Sequence, residues 1–352
     1  MGRKHKHLFD QIVSEQSLQA AYHRASAGKR QSHGYLVFNE YAQARLLEIQ
    51  RQLIDGTWQP KPLRTFTILE PKPRIIGAPA FADRIVHHAL CAVIDPIFDA
   101  AFLPYSYACR PGKGTHAGVI AIQSQLRHGG YTHFLKTDFR KFFPSIDRAI
   151  LHREVRRKIT DSRALDLFTK IVPADGLGVP IGALTSQLSA NIYGNMLDQY
   201  LHHELKVPFA RYMDDVVVLG DDPNHLRAVK RDIEAFGAER MHLSISRWHV
   251  APIGRGVDFL GYRIWPGHKL LRRSSVTRAK RTIRHAVEHG DFDRLAAFVS
   301  AWRGHAALAD SANLRWWLDE QFEVAQNMRR HRITQVPNRD RLLDRLIADA
   351  QL

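Results

Sequence analysis

The sequence contains little cysteine and no long apolar run. Cys91 and Cys109 are its two cysteines, which is too few for a disulfide framework or a cysteine-rich zinc site. Both are predicted to be buried structural thiols, as suits a reducing compartment. No run of about 18 apolar residues occurs, so a membrane-spanning helix is not expected. The basic N-terminus is not followed by an apolar stretch, so a secretory signal is not expected. The prediction is a cytoplasmic protein with no membrane partner.

Acidic residues are scarce relative to basic ones. Lysine and arginine number 51, aspartate and glutamate number 35, and the formal net charge is +16. An excess of this size indicates a polyanionic partner, and nucleic acid is favoured over anionic lipid. A basic protein without such a partner is the alternative that charge alone leaves open.

The glycine-rich stretch 110–118 lacks two common phosphate-binding patterns. It has neither the Gly-Lys-Ser/Thr of a P-loop nor the Gly-x-Gly-x-x-Gly spacing of a dinucleotide site. With 45% hydrophobic and 24% charged residues, the composition is nevertheless that of an ordinary globular protein. Nucleotide binding through either of these two loops is therefore not expected.

Hydrophobic periodicity predicts a mixed, α+β chain. Residues 1–60 and about the last 80 residues are predicted to be mainly helical. Other helices are predicted at about 83–94, with Pro96 ending the helix, at 147–170 and at 224–236. Strands are predicted at 64–69, 132–138, 209–219 (a hairpin) and 257–264. From residue 132 onward, this order of strands and helices is typical of the split βαβ arrangement.

Three aspartates stand in apolar segments of high strand propensity. Asp214 and Asp215 lie inside the predicted hairpin, and Asp138 ends the strand before it. Adjacent carboxylates repel each other unless a hairpin tip exposes them or a cation neutralises them. Such hard oxygen ligands suit Mg²⁺, and three of them on neighbouring strands could hold two metal ions about 3.5–4 Å apart, as in nucleotidyl transfer. A surface hairpin with aspartates in its turn is the alternative.

Two of these segments resemble motifs of reverse transcriptases. Residues 209–216, Phe-Ala-Arg-Tyr-Met-Asp-Asp-Val, resemble the Tyr-x-Asp-Asp box. Residues 134–146, Phe-Leu-Lys-Thr-Asp-Phe-Arg-Lys-Phe-Phe-Pro-Ser-Ile, resemble the first palm motif. The resemblance runs from about Leu69 to Ile264. It implies a right-hand polymerase with basic helical fingers at 1–130, a split βαβ palm at 131–265 and a helical basic thumb at 266–352.

The resemblance implies an RNA-directed DNA polymerase that uses dNTPs and binds template RNA and the RNA/cDNA hybrid. Two Mg²⁺ ions per active site would activate the primer 3′-hydroxyl and stabilise the leaving pyrophosphate. Asp138 and Asp214 would be the main ligands and Asp215 would assist. Phe139, next to Asp138, would belong to the same metal site.

The resemblance also assigns residues to the incoming nucleotide. Phe143 stands where the family has an aromatic ring under the sugar. A bulky ring there would clash with a 2′-hydroxyl and select deoxynucleotides. Lys72 and Arg74 resemble the basic pair that holds the triphosphate, and a proline-stiffened loop with two cations suits phosphate. A plain core phenylalanine and a solvated basic turn are the alternatives.

A four-residue segment resembles the primer-grip strand that follows the palm, namely Phe259, Leu260, Gly261 and Tyr262. The family commonly has a lysine before this strand as a candidate general acid. The nearest residue here is Arg247, a much poorer proton donor, and His249 is a second candidate. The identity of the general acid stays open at this point.

The stretch 179–188, Val-Pro-Ile-Gly-Ala-Leu-Thr-Ser-Gln-Leu, discriminates between subclasses. Most reverse transcriptases have Gln-Gly-x-x-x-Ser-Pro here. Ile181, Gly182 and Gln187, expected to line the nucleotide site, instead resemble the enzymes of diversity-generating retroelements. In that group, mutagenic retrohoming misincorporates opposite template adenines, and a helical-bundle accessory protein is the implied partner. Ile181 in place of an amide would remove a polar contact that helps to fix base geometry, with neutral packing as the alternative.

Three other interpretations are kept. A group II intron-type reverse transcriptase would normally carry a maturase region and often an endonuclease, for which the chain is expected to be too short. A phage-defence or retron enzyme fits the length but fits residues 181–187 less well. A catalytically inactive RNA-binding scaffold is the alternative from a different class, and the intact set of three carboxylates argues against it.

Overall fold

The computed structural model describes residues 4–69 and 73–330 of the chain. It contains both helices and antiparallel strand pairs, which confirms the predicted α+β class. The chain divides into two compact units. Of the described residues, the first unit comprises those up to Gly114 together with Leu135–Val250, and the second comprises Thr115–Phe134 and residues 251–330. The division into fingers, palm and thumb stays a prediction.

The helices and strands follow one another along the chain as listed here. The helices are α1 (Phe9–Ile12), α2 (Glu15–Ser26), α3 (His33–Asn39), α4 (Ala42–Ile54), α5 (Phe81–Asp99), α6 (Thr115–His128), α7 (Phe142–Ser145), α8 (Arg148–Arg156), α9 (Ser162–Ile171), α10 (Leu184–Gln199), α11 (Pro223–Met241), α12 (Arg273–Glu288), α13 (Phe292–Ala306) and α14 (Ala312–Arg330). The strands are β1 (Arg64–Ile68), β2 (Arg74–Ala78), β3 (His133–Phe139), β4 (Phe209–Tyr212), β5 (Asp215–Gly220), β6 (Ile245–Pro252), β7 (Val257–Phe259), β8 (Tyr262–Ile264) and β9 (Lys269–Leu271). A π-helical turn (Tyr200–Glu204) extends α10, and a 3₁₀ turn (Ile253–Arg255) follows β6.

A four-stranded sheet in the order β4-β5-β3-β6 is the part of the fold that positions the site. Strand β5 is buried over Val216, Val217, Val218 and Leu219, which are at most 1% exposed. Because consecutive strand residues point to opposite faces, burial of this whole run means that both faces of β5 are covered. Helix α11 packs against β5, so the sheet lies within the core of the first unit.

A separate hairpin, β1 with β2, is antiparallel and pairs Arg64 with Ala78 and Ile68 with Arg74. All residues of β1 are exposed. In the second unit, β7, β8 and β9 form a three-stranded sheet, and α12, α13 and α14 pack in sequence. Within the described ranges, no helix combines the length and apolarity needed to cross a membrane.

The single helix predicted over 147–170 is wrong, since two helices, α8 and α9, occupy this segment. Helix α9 begins after Asp161, whose carboxylate caps it by accepting a hydrogen bond from the amide of Ala164 at 3.1 Å. Its other oxygen accepts from the amides of Leu8 and Phe9 at 2.6 and 3.0 Å. One aspartate therefore satisfies the first amides of two helices.

Two further boundaries differ from the prediction. Helix α5 continues past Pro96 to Asp99. The loss of one amide donor is tolerated because Ile94 and Phe98 are buried, 0% and 3% exposed, and their packing stabilises the last turn. The strand predicted at 257–264 is a hairpin, β7 with β8.

The prediction for the cysteines is confirmed for Cys91 and wrong for Cys109. Cys91 is buried in α5, whereas Cys109 is exposed. Cys109 has a φ of 52°, a left-handed conformation in the loop that precedes α6. The small residues next to Cys109 suggested that this cysteine is buried, but in this segment it is the neighbouring Ala108 that is fully buried.

Candidate active site

Strand β3 carries Asp138 to the centre of the sheet. Burial alternates along its last residues: Thr137 and Phe139 are buried and Asp138 between them is half-buried, as the period of two in a strand requires. The Asp138 carbonyl accepts a hydrogen bond from Ser246 Oγ at 2.9 Å. The amide of Phe139 donates to the Asp214 carbonyl at 3.4 Å. The end of β3 is thus fixed on both sides, by β6 and by the turn that carries Asp214.

The predicted hairpin with two aspartates at its tip is confirmed. Strands β4 and β5 pair antiparallel with Tyr212 opposite Asp215, so Met213 and Asp214 form a two-residue turn. Met213 has a φ of 54° and is 8% exposed. A left-handed backbone at a buried residue that is not glycine is uncommon and is kept only where surrounding contacts hold it.

Asp138 and Asp214 form a pair of neighbouring carboxyl groups. The pKa of Asp214 is raised to about 6, first by burial and next by the negative charge of Asp138. A buried carboxyl group whose pKa is raised by a neighbouring carboxylate belongs to a donor set that a divalent cation would stabilise. The residues present therefore fit Mg²⁺, with Asp138 and Asp214 as protein ligands and substrate phosphates and water supplying the others.

Asp215 has a different environment from the other two aspartates. Its carboxylate oxygens lie 2.9 and 3.0 Å from Nζ of Lys136, two residues before Asp138 on β3. Among residues 4–69 and 73–330, no three histidine, cysteine, aspartate or glutamate side chains are grouped closely enough to hold a metal ion by themselves. Lys136 is absent from the sequence-based site, although residues two apart on a strand share a face and its spacing from Asp138 pointed to it.

Phe139, predicted to belong to the metal site, has a buried side chain that is 3% exposed. Its ring lies beside Phe142, with centroids 6.3 Å apart. A phenylalanine side chain offers no oxygen, so its backbone carbonyl is the group with which it would contact a metal ion.

Backbone hydrogen bonds join three of the segments predicted to bind the nucleotide. The amide of Gly77, on β2, donates to the Ile181 carbonyl at 2.8 Å, and the amide of Val179 donates to the Phe143 carbonyl at 3.0 Å. The loop 179–182 therefore lies between β2, which begins at Arg74, and the segment that carries Phe143. The structure thus places these three segments side by side, and their contact with a nucleotide stays a prediction.

Gly182 makes the closest approach in this loop. Its φ is +118°, and a Cβ added there would lie 2.7 Å from Cγ2 of Ile76 and 3.2 Å from the Gly77 carbonyl oxygen. A side chain at this position would thus strain the backbone and push the loop away from β2. Glycine is required here for packing, whatever its role toward a nucleotide.

Gln187, on α10, lines a small cavity of about 170 Å³ together with Gly182, Arg84 and His87. Nε of Arg84 is buried and has no hydrogen-bond partner within the described part of the chain. Sequence reasoning missed Arg84 because an arginine in an amphipathic helix is ordinarily a solvated residue.

The basic pair predicted to hold the triphosphate is Lys72 and Arg74. Arg74 is exposed at the start of β2, and Lys72 lies outside the described residues.

The predicted primer-grip segment is the β7–β8 hairpin of the second unit. Leu260 and Gly261 form its turn, with φ values of 54° and 88°, as a two-residue hairpin turn of the primed type requires. Phe259 and Tyr262 are fully buried, and Tyr262 donates a hydrogen bond to the carbonyl of His305. The accessible part of this segment is therefore its turn, and contact with a primer stays a prediction.

The two candidate general acids both lie on β6. The side chains of Arg247 and His249 are exposed. Assignment of a general acid stays a prediction.

The raised pKa of Asp214 leads to a prediction about stability. Its pKa in the folded protein, about 6, lies above its usual value of 3.8, so the folded state loses stability as the pH rises from about 4 to about 6. Without divalent cations near pH 7.5, Asp214→Asn is expected to raise the free energy of unfolding by up to about 3 kcal/mol. The gain should shrink toward pH 4.5.

Chemical denaturation in a chelating buffer at both pH values measures this effect. Asp215→Asn is the matched control, because it loses the contact with Lys136 and is expected to lower the free energy of unfolding. A destabilised Asp214→Asn variant at neutral pH would contradict the electrostatic description of the pair.

Comparison with known protein families identifies one match across most of the site. Residues 60–264 match the family model described as "Reverse transcriptase (RNA-dependent DNA polymerase)". This range is more than half of the chain and includes all three aspartates, the loop 179–182 and the β7–β8 hairpin.

Several known proteins are similar to parts of the chain. "Protein YkfC" of Escherichia coli K12 is 28% identical over 66% of this chain and 74% of its own length. The "Group II intron-encoded protein LtrA" of Lactococcus lactis is 29% identical over 49% of this chain, which corresponds to 30% of that protein. An apo telomerase structure from Candida tropicalis has a TM-score of 0.44 and 11% identity, covering 67% of this chain and 59% of that one.

Proposed function

The chain belongs to the reverse transcriptase family, and from this premise we propose that it copies an RNA template into DNA at the site formed by Asp138 and Asp214. The observation that carries the proposal is the pairing of these two carboxyl groups between the end of β3 and the β4–β5 turn. Two like charges that oppose each other inside the fold cost stability, and a protein retains such a pair where it binds a cation.

The proposed reaction is nucleotidyl transfer with dNTPs as substrates. Asp138 and Asp214 would hold magnesium, and magnesium bound there supplies activation of the primer 3′-hydroxyl and neutralisation of the leaving pyrophosphate. Lys136 keeps Asp215 turned toward β3. Asp215 would then assist from beside the pair, and the loop 179–182 with Phe143 would form the wall against which the nucleotide sugar and base lie.

Primer extension on an RNA template tests the proposal. The expected result is dNTP incorporation that requires Mg²⁺ and is abolished by the double variant Asp214→Ala with Asp215→Ala. Incorporation at the wild-type level by that variant would contradict the assignment of the site.

For the subclass, we propose an error-prone enzyme of the diversity-generating type, with a helical-bundle accessory protein as partner and the cytoplasm as location. Support comes from the loop 179–182, which is fixed at both ends by Gly77 and Phe143. It presents a half-buried Ile181 where most of the family has an amide. An apolar side chain at that place provides no hydrogen bond to hold a base pair in its correct geometry.

Ile181→Gln is therefore expected to lower misincorporation opposite template adenines by about 5-fold, since a hydrogen bond contributes about 1 kcal/mol of discrimination. Sequencing of cDNA made on one RNA template measures the error rate at each base. Ile181→Leu is the matched control and should keep the wild-type error spectrum. An unchanged error rate in Ile181→Gln, or no excess at adenines in the wild type with its native RNA and accessory protein, would contradict the proposed subclass.

A second candidate is a reverse transcriptase of group II intron origin. The similarity to the group II intron-encoded protein of Lactococcus lactis favours it. Because the match spans 30% of that protein, activities of its other parts do not carry over to this chain. An error spectrum without an excess at adenines, together with efficient RNA copying, would favour this candidate over the diversifying one.

A further inference from the structure

A buried ion pair lies directly beneath the turn that carries Asp214. Arg211, on β4, donates from Nε to Oδ1 of Asp198 at 2.6 Å and from Nη2 to Oδ2 at 2.7 Å. The two side chains are 1% and 0% exposed. The third guanidinium nitrogen, Nη1, donates to the carbonyl of Met213 at 3.1 Å. All three nitrogens of the guanidinium group are thus engaged, two by helix α10 and one by the turn.

The carbonyl bound by Arg211 belongs to the one turn residue with a left-handed backbone. Met213 has a φ of 54°, and its peptide group leads directly into Asp214. Such a backbone is retained where contacts over-determine it. Rotation of the Met213 peptide would break its bond to Nη1 and reorient the Asp214 carboxyl group away from Asp138.

Arg211 is itself held rigidly. Its amide donates to the carbonyl of Tyr105, and its carbonyl accepts from the amide of Tyr107, both at 2.9 Å. Helix α10 provides the space for its side chain at Gly194, because a Cβ added there would lie 2.6 Å from Cζ of Arg211. Gly194 and Asp198 are four residues apart and share a helix face, so one face of α10 accommodates and orients the guanidinium group.

Stability alone does not account for this arrangement. Removing two charges from water costs about as much as their attraction returns, and apolar residues of similar volume often serve as well. What an apolar pair does not provide is the directed bond to Met213. The planar guanidinium group is suited to it because it binds both carboxylate oxygens and keeps a third donor in a fixed direction.

We infer that the Arg211–Asp198 pair positions the catalytic turn, so that Arg211 acts through Met213 to hold Asp214 opposite Asp138. The effect that this inference predicts on kcat rests on the proposed polymerase function. Its structural consequence, the affinity of the carboxylate pair for a divalent cation, is measurable without turnover.

Two substitutions separate positioning from folding. Arg211→Lys keeps the charge, but one ammonium group does not bind both Asp198 oxygens and the Met213 carbonyl in the same geometry. The double variant Arg211→Met with Asp198→Leu fills the space without charge and is expected to fold. In both, kcat for single-dNTP incorporation is expected to fall by about 10²-fold, as for a catalytic group displaced by about 1 Å. The KM for dNTP should stay within about 2-fold, since the proposed nucleotide contacts lie on other segments.

Tyr193→Phe is the matched control. It removes a buried hydrogen bond of the same helix, which Tyr193 Oη donates to the carbonyl of Met241 at 2.5 Å. Neither of these two residues belongs to the turn that carries Asp214. Its expected effect is a lower melting temperature with unchanged kcat. Mn²⁺ affinity of each metal-free protein, measured by electron paramagnetic resonance, is expected to fall about 10-fold in both Arg211 variants and not in the control.

The outcomes distinguish this inference from the proposed function. Wild-type kcat together with wild-type Mn²⁺ affinity in a folded Arg211 variant would overturn the inference. Failure of both Arg211 variants to fold would overturn it too, because the pair would then be structural. Absence of RNA-templated synthesis by the wild type would contradict the proposed function, and Mn²⁺ affinity would still decide whether Arg211 positions the pair.

Discussion

Asp138→Asn and Asp214→Asn are each expected to lower dNTP incorporation on an RNA template by about 10³-fold or more. Both side chains belong to the pair in which burial, and next the charge of Asp138, raises the pKa of Asp214. An amide keeps the shape of the carboxyl group but loses the charge that would hold magnesium. Single-nucleotide incorporation under pre-steady-state conditions measures the effect, with RNA binding as a check that each variant still engages its template.

Asp215→Asn provides the matched comparison within the same turn. Because its carboxylate lies 2.9 Å from Nζ of Lys136, its removal is expected to lower the rate by about 10-fold, well short of the other two variants. Lys136→Met should have a similar, intermediate effect, since it releases Asp215. Equal losses in Asp138→Asn, Asp214→Asn and Asp215→Asn would contradict the unequal roles that the geometry gives them.

Phe143→Ala is expected to increase incorporation of ribonucleotides relative to deoxyribonucleotides by about 10²-fold. The ring of Phe143 is half-buried and contacts Phe142 edge to face, with centroids 6.0 Å apart. Its carbonyl is bonded to the loop 179–182 through Val179. A ring held in this way would exclude a 2′-hydroxyl by its volume, and alanine would leave room for it.

The ratio of kcat/KM for rNTP and dNTP on one template measures this selectivity. Phe168→Ala is the control, because Phe168 is a core residue at 1% exposure whose ring contacts His152. It should lower the melting temperature and leave the ratio unchanged. If Phe143→Ala keeps the wild-type ratio, Phe143 is a packing residue and the sugar is selected elsewhere.

Local sequence patterns were sufficient to predict the parts of the site that lie on single elements. The sequence predicted the positions of Asp138 at the end of β3 and of Asp214 in the β4–β5 turn. In both cases a carboxylate stands within or beside a short apolar strand, and a few consecutive residues are enough to recognise that pattern. The glycine at position 182 was recognised from its motif, and the structure adds the physical reason, its approach to Ile76.

Contacts between distant segments were not predictable in this way. Lys136 and Asp215 are 79 residues apart, and Arg211 and Asp198 are 13 apart on a strand and a helix. Periodicity gives no information about which elements lie side by side. The adjacent positions of β3 and β5 in the sheet decide the first pairing, and the contact of α10 with β4 decides the second. The break between α8 and α9 was missed for the same reason, because Asp161 is oriented by amides near the N-terminus as well as by its own helix.

The most direct measurement is extension of a DNA primer on an RNA template by the purified wild-type chain, with all four dNTPs, in the presence and absence of Mg²⁺. The account predicts full-length cDNA that appears with Mg²⁺ and disappears when it is chelated. Binding of the primed RNA without any incorporation in Mg²⁺, or incorporation that persists in Asp138→Asn and Asp214→Asn, would contradict it.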